Sequence, residues 1–215
     1  MFQTEQHSIK QDIAFFVAIA AAGFKLTDSK SVNTHDGAAW HATLTHGRTK
    51  IVTVSNGGHG GPDQSDFHAT TPAGKAADKV SLETLFAVPE VAAAVRGHML
   101  FNLDLEKQYS KVEGFDYPAA EAEIAARVPD VTEDNVEFLV GRIADIAGIV
   151  NSYKRAIKTK LLVVFEGGDA KGEYVTYKLT DTPANRDRVR QHEKNRTIDY
   201  FIADLFGSTN GPKAA

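Results

Sequence analysis

Cysteine is absent from the sequence. Disulfides, thiolate metal sites and a cysteine nucleophile are therefore excluded, and the usage fits a cytosolic chain. Long apolar runs are missing too. The longest, Ile13 to Gly23, is too short to cross a bilayer. Residues 1–6, Met-Phe-Gln-Thr-Glu-Gln, lack the basic and then apolar layout of a secretory leader. A cytoplasmic protein that makes no membrane contact is the expectation. The phosphate-binding spacing G-x-x-x-x-G-K-[ST], a G-x-G-x-x-G inside a βαβ unit and the zinc spacing H-E-x-x-H do not occur. No catalytic residue and no cofactor are expected on that basis, and no fixed-period repeat is visible.

What remains is 215 residues, 42% apolar and 24% charged, enough for one large domain or two small ones. The net charge of −4 is unevenly placed. Lys154 to Arg196 carries eleven Lys/Arg against six Asp/Glu, and the rest carries thirteen against twenty-two. An acidic body with a basic C-terminal third can be oriented by a polyanion or an acidic partner, although a charge run is also what an ordinary solvated face looks like.

Periodicity predicts an α+β fold: two β-hairpins, which could share one antiparallel sheet, packed with several helices that include one long core helix. Ser8 to Phe24 repeats apolar residues at three and four positions, an amphipathic helix. Leu26 to Gly37 is polar and reads as a loop. Ala39 to His46 and Lys50 to Ser55 alternate around Gly47-Arg48-Thr49, a hairpin. Residues 62–74 read as irregular, Ser81 to Val88 as a short helix, Pro89 to about Gln108 as a second, and Ala119 to Val128 as a third. The strongest signal is Thr132 to Thr159, where Val136, Leu139, Val140, Ile143, Ile146, Val150, Tyr153 and Ile157 form one stripe behind a Thr132 cap. Leu161 to Glu166 and Glu173 to Leu179 form the second hairpin. Thr182-Pro183 opens a basic helix, and Ile198, Phe201, Ile202 and Leu205 read as a last one. The expected layout is residues 1–130, then 131–207, which could be one domain with the first, and a disordered tail over 208–215.

The unusual stretch is Ser55, Asn56, Gly57, Gly58, His59, Gly60 and Gly61, at the exit of a strand. Four glycines in five positions permit positive φ and close backbone approach, so the stretch is a candidate partner- or ligand-binding loop. Consecutive N–H groups could cradle a phosphate, but Pro62 and Asp63 stand where a helix start is wanted. A structural turn or a protein-contact loop is the competing reading. His59, Asp63, Asp66 and His68 are the tightest set of metal-capable side chains, without a regular ligand spacing. The same His59 beside Asp63 or Asp66 could act as a base, and Ser55 as a nucleophile, although no strained elbow surrounds it. In the basic third, Arg186, Arg188, Arg190, Lys194 and Arg196, with Tyr174, Tyr177 and Tyr200 nearby, are candidate contacts to nucleic acid or an acidic partner.

The string Val54 to Gly61 resembles a V-S-N-x-G-x-G-G pattern of uncharacterised proteins encoded by bacteriophages and plasmids. In that group it similarly ends an early strand, and a basic hairpin and helix close the chain. Gly57 stands here where aspartate is common, and Pro62 where a cysteine often sits, which argues against a reactive loop. The resemblance implies a mobile-element origin. The expectation is an accessory protein that binds a host protein or complex, inhibiting a host defence or transcription complex. A nucleotide- or phosphate-ligand binder or enzyme using the glycine loop is the alternative, and a nucleic-acid-binding protein the second.

Overall fold

In a computed structural model, which describes residues 8–109 and 114–207, the chain is α+β. Its elements run α1 (Ile9–Ala21), β1 (Phe24–Thr34), β2 (Gly37–His46), β3 (Thr49–Asn56), β4 (Gln64–Phe67), α2 (Pro72–Phe86), α3 (Pro89–Tyr109) and α4 (Tyr117–Ala126). They continue with α5 (Glu133–Ala156), β5 (Leu161–Phe165), β6 (Val175–Tyr177), α6 (Pro183–His192) and β7 (Ile198–Phe201). The two hairpins lie in separate antiparallel sheets, β1-β2-β3-β4 and β6-β5-β7. Contacts group the chain into two units, residues 17–145 and residues 1–16 with 146–215; the divisions fall inside α1 and α5. The expected tail over 208–215 lies outside the described residues. Among the described residues, no helix is long and apolar enough to cross a membrane.

The unit of residues 17–145 holds the four-stranded sheet. Ala42 and Leu44 of β2 and Val52 and Val54 of β3 are fully buried, as the alternation of those strands requires. Trp40 lies against α5 at Gly141, where a β-carbon would sit 3.6 Å from the indole ring. Val136, Leu139, Val140 and Ile143 of α5 are buried, each contributing about 1.5–3 kcal/mol. That stripe, more than helix propensity, holds the helix. Its start is fixed as expected: Thr132 Oγ1 accepts the Asn135 N–H at 3.2 Å.

Three expectations fail here, each for a physical reason. Residues 26–34 form most of β1 and not a loop. This is an edge strand exposed over most of its length, with a bulge between Thr27 and Lys30 and Asp28 at φ 52°, so no apolar alternation marks it. Residues 64–67, read as irregular, are the short polar edge strand β4, paired with β3 from Val52↔Phe67 to Ser55↔Gln64. The helix placed at Ser81 begins nine residues earlier at Pro72, where Thr71 Oγ1 accepts the Gly74 N–H; the Thr-Pro punctuation is a cap and first turn.

The other unit is built around β5, whose five residues are all buried. Leu161, Val163 and Phe165 form one core with Val189 of α6 and Phe201 of β7. The last helix expected over Ile198 to Leu205 is a strand, β7, followed by a 3-10 turn over Ile202–Phe206. The β-branched and aromatic run Ile198-Asp199-Tyr200-Phe201 pairs with β5, and that pairing overrides the helical spacing.

Buried phenols tie this unit together. The Tyr200 hydroxyl donates to Asp169 Oδ1, which also accepts the Lys10 backbone N–H at 3.1 Å. Burial alone would push the Asp169 carboxyl up, but these donors outweigh it and hold the group below its usual value. Burial pushes Tyr153 and Tyr177 each up to about 12 from the usual 10, with Tyr174 and Asp12 adding at Tyr153 and Glu193 at Tyr177. Folded protein therefore keeps protons that the unfolded chain releases. The phenol contribution to stability is complete below pH 10 and is lost as pH rises from 10 toward 12. Denaturant titrations over that range are expected to show falling stability, and Tyr177→Phe a shallower fall than the parent.

Candidate functional site

The glycine stretch connects β3 to β4, so a strand and not a helix follows it. Asn56, the last residue of β3, closes it. Its Nδ2 donates to the Gly61 carbonyl at 3.0 Å and to Asp63 Oδ1 at 2.8 Å, while its Oδ1 accepts the Gly58 N–H at 2.8 Å. The loop then folds back on the two-residue turn between β1 and β2. Thr34 Oγ1 lies 2.9 Å from the Gly37 carbonyl oxygen and 2.8 Å from that of Gly58, sharing one proton between them. Gly58 is buried at φ 73°, and a β-carbon there would meet the Ala39 nitrogen at 2.7 Å. Only glycine fits that position.

The result is a closed tip with a polar exterior. His59 Nδ1 lies 3.6 Å from Asp36 Oδ2, and His35 Nδ1 lies 3.2 Å from Asp36 Oδ1. All three side chains are more than half exposed. The carboxylate beside His59 is thus Asp36 and neither Asp63 nor Asp66, as the acid–base reading had it. Ser55 sits within β3, opposite His41 on one side and Gln64 on the other. A phosphate cradle finds less here than the sequence offers, because the Gly58 N–H is already bonded and the loop leads into β4 and not into a helix.

The metal-capable set is dispersed. His59 faces Asp36, Asp63 holds Asn56, Asp66 is exposed on β4, and His68 Nε2 lies 2.8 Å from Thr53 Oγ1. Among the described residues, no group of three such side chains could hold an ion. Below His68, Asp78 is buried in α2 with Oδ2 unpartnered. Burial pushes its carboxyl up, against the His68 charge and an Ala69 backbone hydrogen bond.

The basic third is largely neutralised from within. Arg186 Nε and Nη2 donate to both oxygens of Asp181 at 2.6 and 2.7 Å, and its Nη1 and Nη2 to Asp204 at 3.2 and 2.8 Å. Hydrogen bonding to Asp181 is the main cause that pushes its pKa further up. Arg190 pairs with Asp187 at 2.7 Å, and both guanidinium groups lie over the Phe201 ring. Arg196 stacks on Phe165 at 3.6 Å and approaches Glu193 at 3.8 Å. Of the five candidates, Arg188 and Lys194 are exposed and carry no ion pair among the described residues. Tyr177 and Tyr200 donate to Glu193 and Asp169, and Tyr200 is buried with Lys10 over its ring, so it is no free stacking platform.

Sequence reading missed one cluster. His98 of α3 stacks on Phe138 of α5 at 4.1 Å, and its Nε2 lies 3.3 Å from Asp134 Oδ2 and 3.1 Å from Asn102 Nδ2. An open depression of about 310 Å³ adjoins it, lined by Met99, Leu103 and Ile124 with Asn102, Arg127 and Asp134. The i, i+4 spacing of His98 and Asn102 on one helix face was the available signal.

Compared with known proteins, the chain matches no family model, no curated protein and no solved structure.

Proposed function

We propose that this chain is a non-catalytic accessory protein of a bacteriophage or other mobile element, which binds a host macromolecule through the tip carrying His35, Asp36 and His59. Inhibition of a host defence or transcription complex is the form such binding takes. One observation carries the reading: Asn56 and Thr34 hold the glycine loop at Gly58 and Gly61, yet His59 of the loop and His35 and Asp36 of the adjoining turn stay exposed. A surface already ordered before contact loses little conformational entropy on binding, which favours a tight complex. The mobile-element origin rests on the resemblance of Val54 to Gly61.

The test compares the tagged parent with a His35→Ala/Asp36→Ala/His59→Ala variant, each incubated with lysates of several bacterial hosts. All three side chains are exposed, so stability should change by about 0.5 kcal/mol or less per site. A host protein retained by the parent and lost by the variant is the expected result. No enriched protein from any lysate, or equal retention by both forms, would overturn the proposal.

A further inference from the structure

The unit of residues 1–16 and 146–215 carries thirteen Lys/Arg against ten Asp/Glu, whereas residues 17–145 carry eleven against eighteen. Net charges are therefore +3 and −7. Within the positive unit, carboxylates pair with Arg186 and Arg190 of α6, but not with the cations at the end of α5. Lys154, Arg155 and Lys158 make no ion pair among the described residues. Asn151, Lys154 and Arg155 stand exposed on the last turns of α5, beside buried Val150 and Tyr153, and Lys158 follows in the turn after Ala156. Gly148 continues this face without a side chain, and the five residues line an open depression of about 530 Å³.

Among the described residues, Lys154 has aromatic neighbours and no carboxylate partner, whereas Arg186 and Arg190 of α6 have both. Its ammonium lies 4.8 Å from the centre of the Phe16 ring and 5.4 Å from that of Phe206. An aromatic face holds a cation in place without cancelling its charge, unlike a carboxylate. No acid occurs on α5 after Asp145, so nothing on the helix itself opposes the three cations.

From this we infer that the C-terminal end of α5 and the turn after it form a phosphate-binding surface for a nucleic-acid backbone, with Lys154, Arg155 and Lys158 contacting successive phosphates and Asn151 donating a hydrogen bond. From Lys154 to Lys158 the chain rises about 6 Å, and the phosphates of one strand recur about every 3.4 Å along the duplex axis, so three contacts fit that length. Binding through phosphate contacts is backbone-directed and independent of base sequence. The inference is independent of the tip and assigns no role to it.

Fluorescence anisotropy of a labelled random 20-base-pair DNA duplex with the full chain tests it. Three phosphate contacts imply a log K against log salt slope of about −2.7, so affinity falls about 40-fold between 50 and 200 mM salt. Arg155→Gln/Lys158→Gln should weaken binding at 50 mM by about tenfold or more and reduce the slope by about 2. Both side chains are exposed, and each single variant should give about half of the slope change. Arg188→Gln/Lys194→Gln should leave slope and affinity unchanged. Absence of saturable binding at 50 mM, equal binding of polyglutamate, or loss carried by Arg188 and Lys194 would each overturn the inference.

Discussion

Gly58→Val is expected to lower the melting temperature by roughly 4–24 °C, the largest effect of any substitution in the glycine loop. Two costs combine there. A β-branched residue at φ 73° is strained by about 1–3 kcal/mol. Its β-carbon would also lie 2.7 Å from the Ala39 nitrogen, 2.9 Å from Thr34 Oγ1 and 3.0 Å from the Ala38 carbonyl carbon, two of which are backbone atoms that cannot swing aside. Overpacking of that kind adds about 1–3 kcal/mol, and each kcal/mol shifts melting by about 2–4 °C in a chain of this size. Gly60→Ala is the control. It shares the positive φ, 75°, but meets nothing within 4 Å, so only the backbone strain of about 1–2 kcal/mol applies. Equal losses at the two positions in thermal melts would mean that the loop does not lie back on the β1–β2 turn.

Arg186→Met is expected to destabilise by about 3 kcal/mol, more than any other change among the basic residues of α6. The Asp181 side chain is 10% exposed and loses both of its guanidinium hydrogen bonds, which leaves a desolvated carboxylate unpaired. Asp204 is about half exposed and regains water, so its share is small. Methionine keeps some contact with the Phe201 ring that Arg186 covers at 4.5 Å, which makes the change mainly electrostatic. Adding Asp181→Leu should recover part of the loss, because removing both partners leaves no buried charge behind. Arg188→Met, exposed and without an ion pair, should stay within about 0.5 kcal/mol. Urea titrations of the four proteins read these differences directly, and a neutral Arg186→Met would contradict the internal role given to that residue.

The long helix α5 was legible in the sequence because its buried face repeats over about five turns, Val136 to Tyr153, and a threonine caps it. Helix α3 was legible from Pro89 onward for a similar reason, with Val91, Val95 and Leu103 on its buried side. Strands β1 and β4 were not. Both lie at edges of the sheet, where exposed polar residues remove the period-two signal, and only pairing with β2 and β3 defines them. The segment over Ile198 to Phe201 misled because its apolar spacing suits either state, and β5 decides between them.

The candidate site divides along the same line. That the glycine stretch ends a strand was readable, and so was its need for positive φ. Its packing on the β1–β2 turn, which lies about twenty residues away in sequence, was not readable, nor was the approach of Asp36 to His59. The arginine run on α6 looked free in sequence because its neutralising partners, Asp181 and Asp204, come from either side of the helix. Lys154, Arg155 and Lys158 looked like ordinary end-of-helix cations. What separates them from Arg186 and Arg190, which also lie against an aromatic ring, is the lack of ion pairs on all three among the described residues.

If the tip is an ordered surface made by its own hydrogen bonds, its amides must be unequal. Native-state hydrogen exchange by NMR resolves them one by one. Gly58, bonded to Asn56 Oδ1 and buried, should exchange about a hundredfold or more slower than an unstructured amide, whereas Gly60 should exchange nearly freely. Asn56→Ala should erase that difference. Free exchange at Gly58 in the parent protein would contradict the preformed tip.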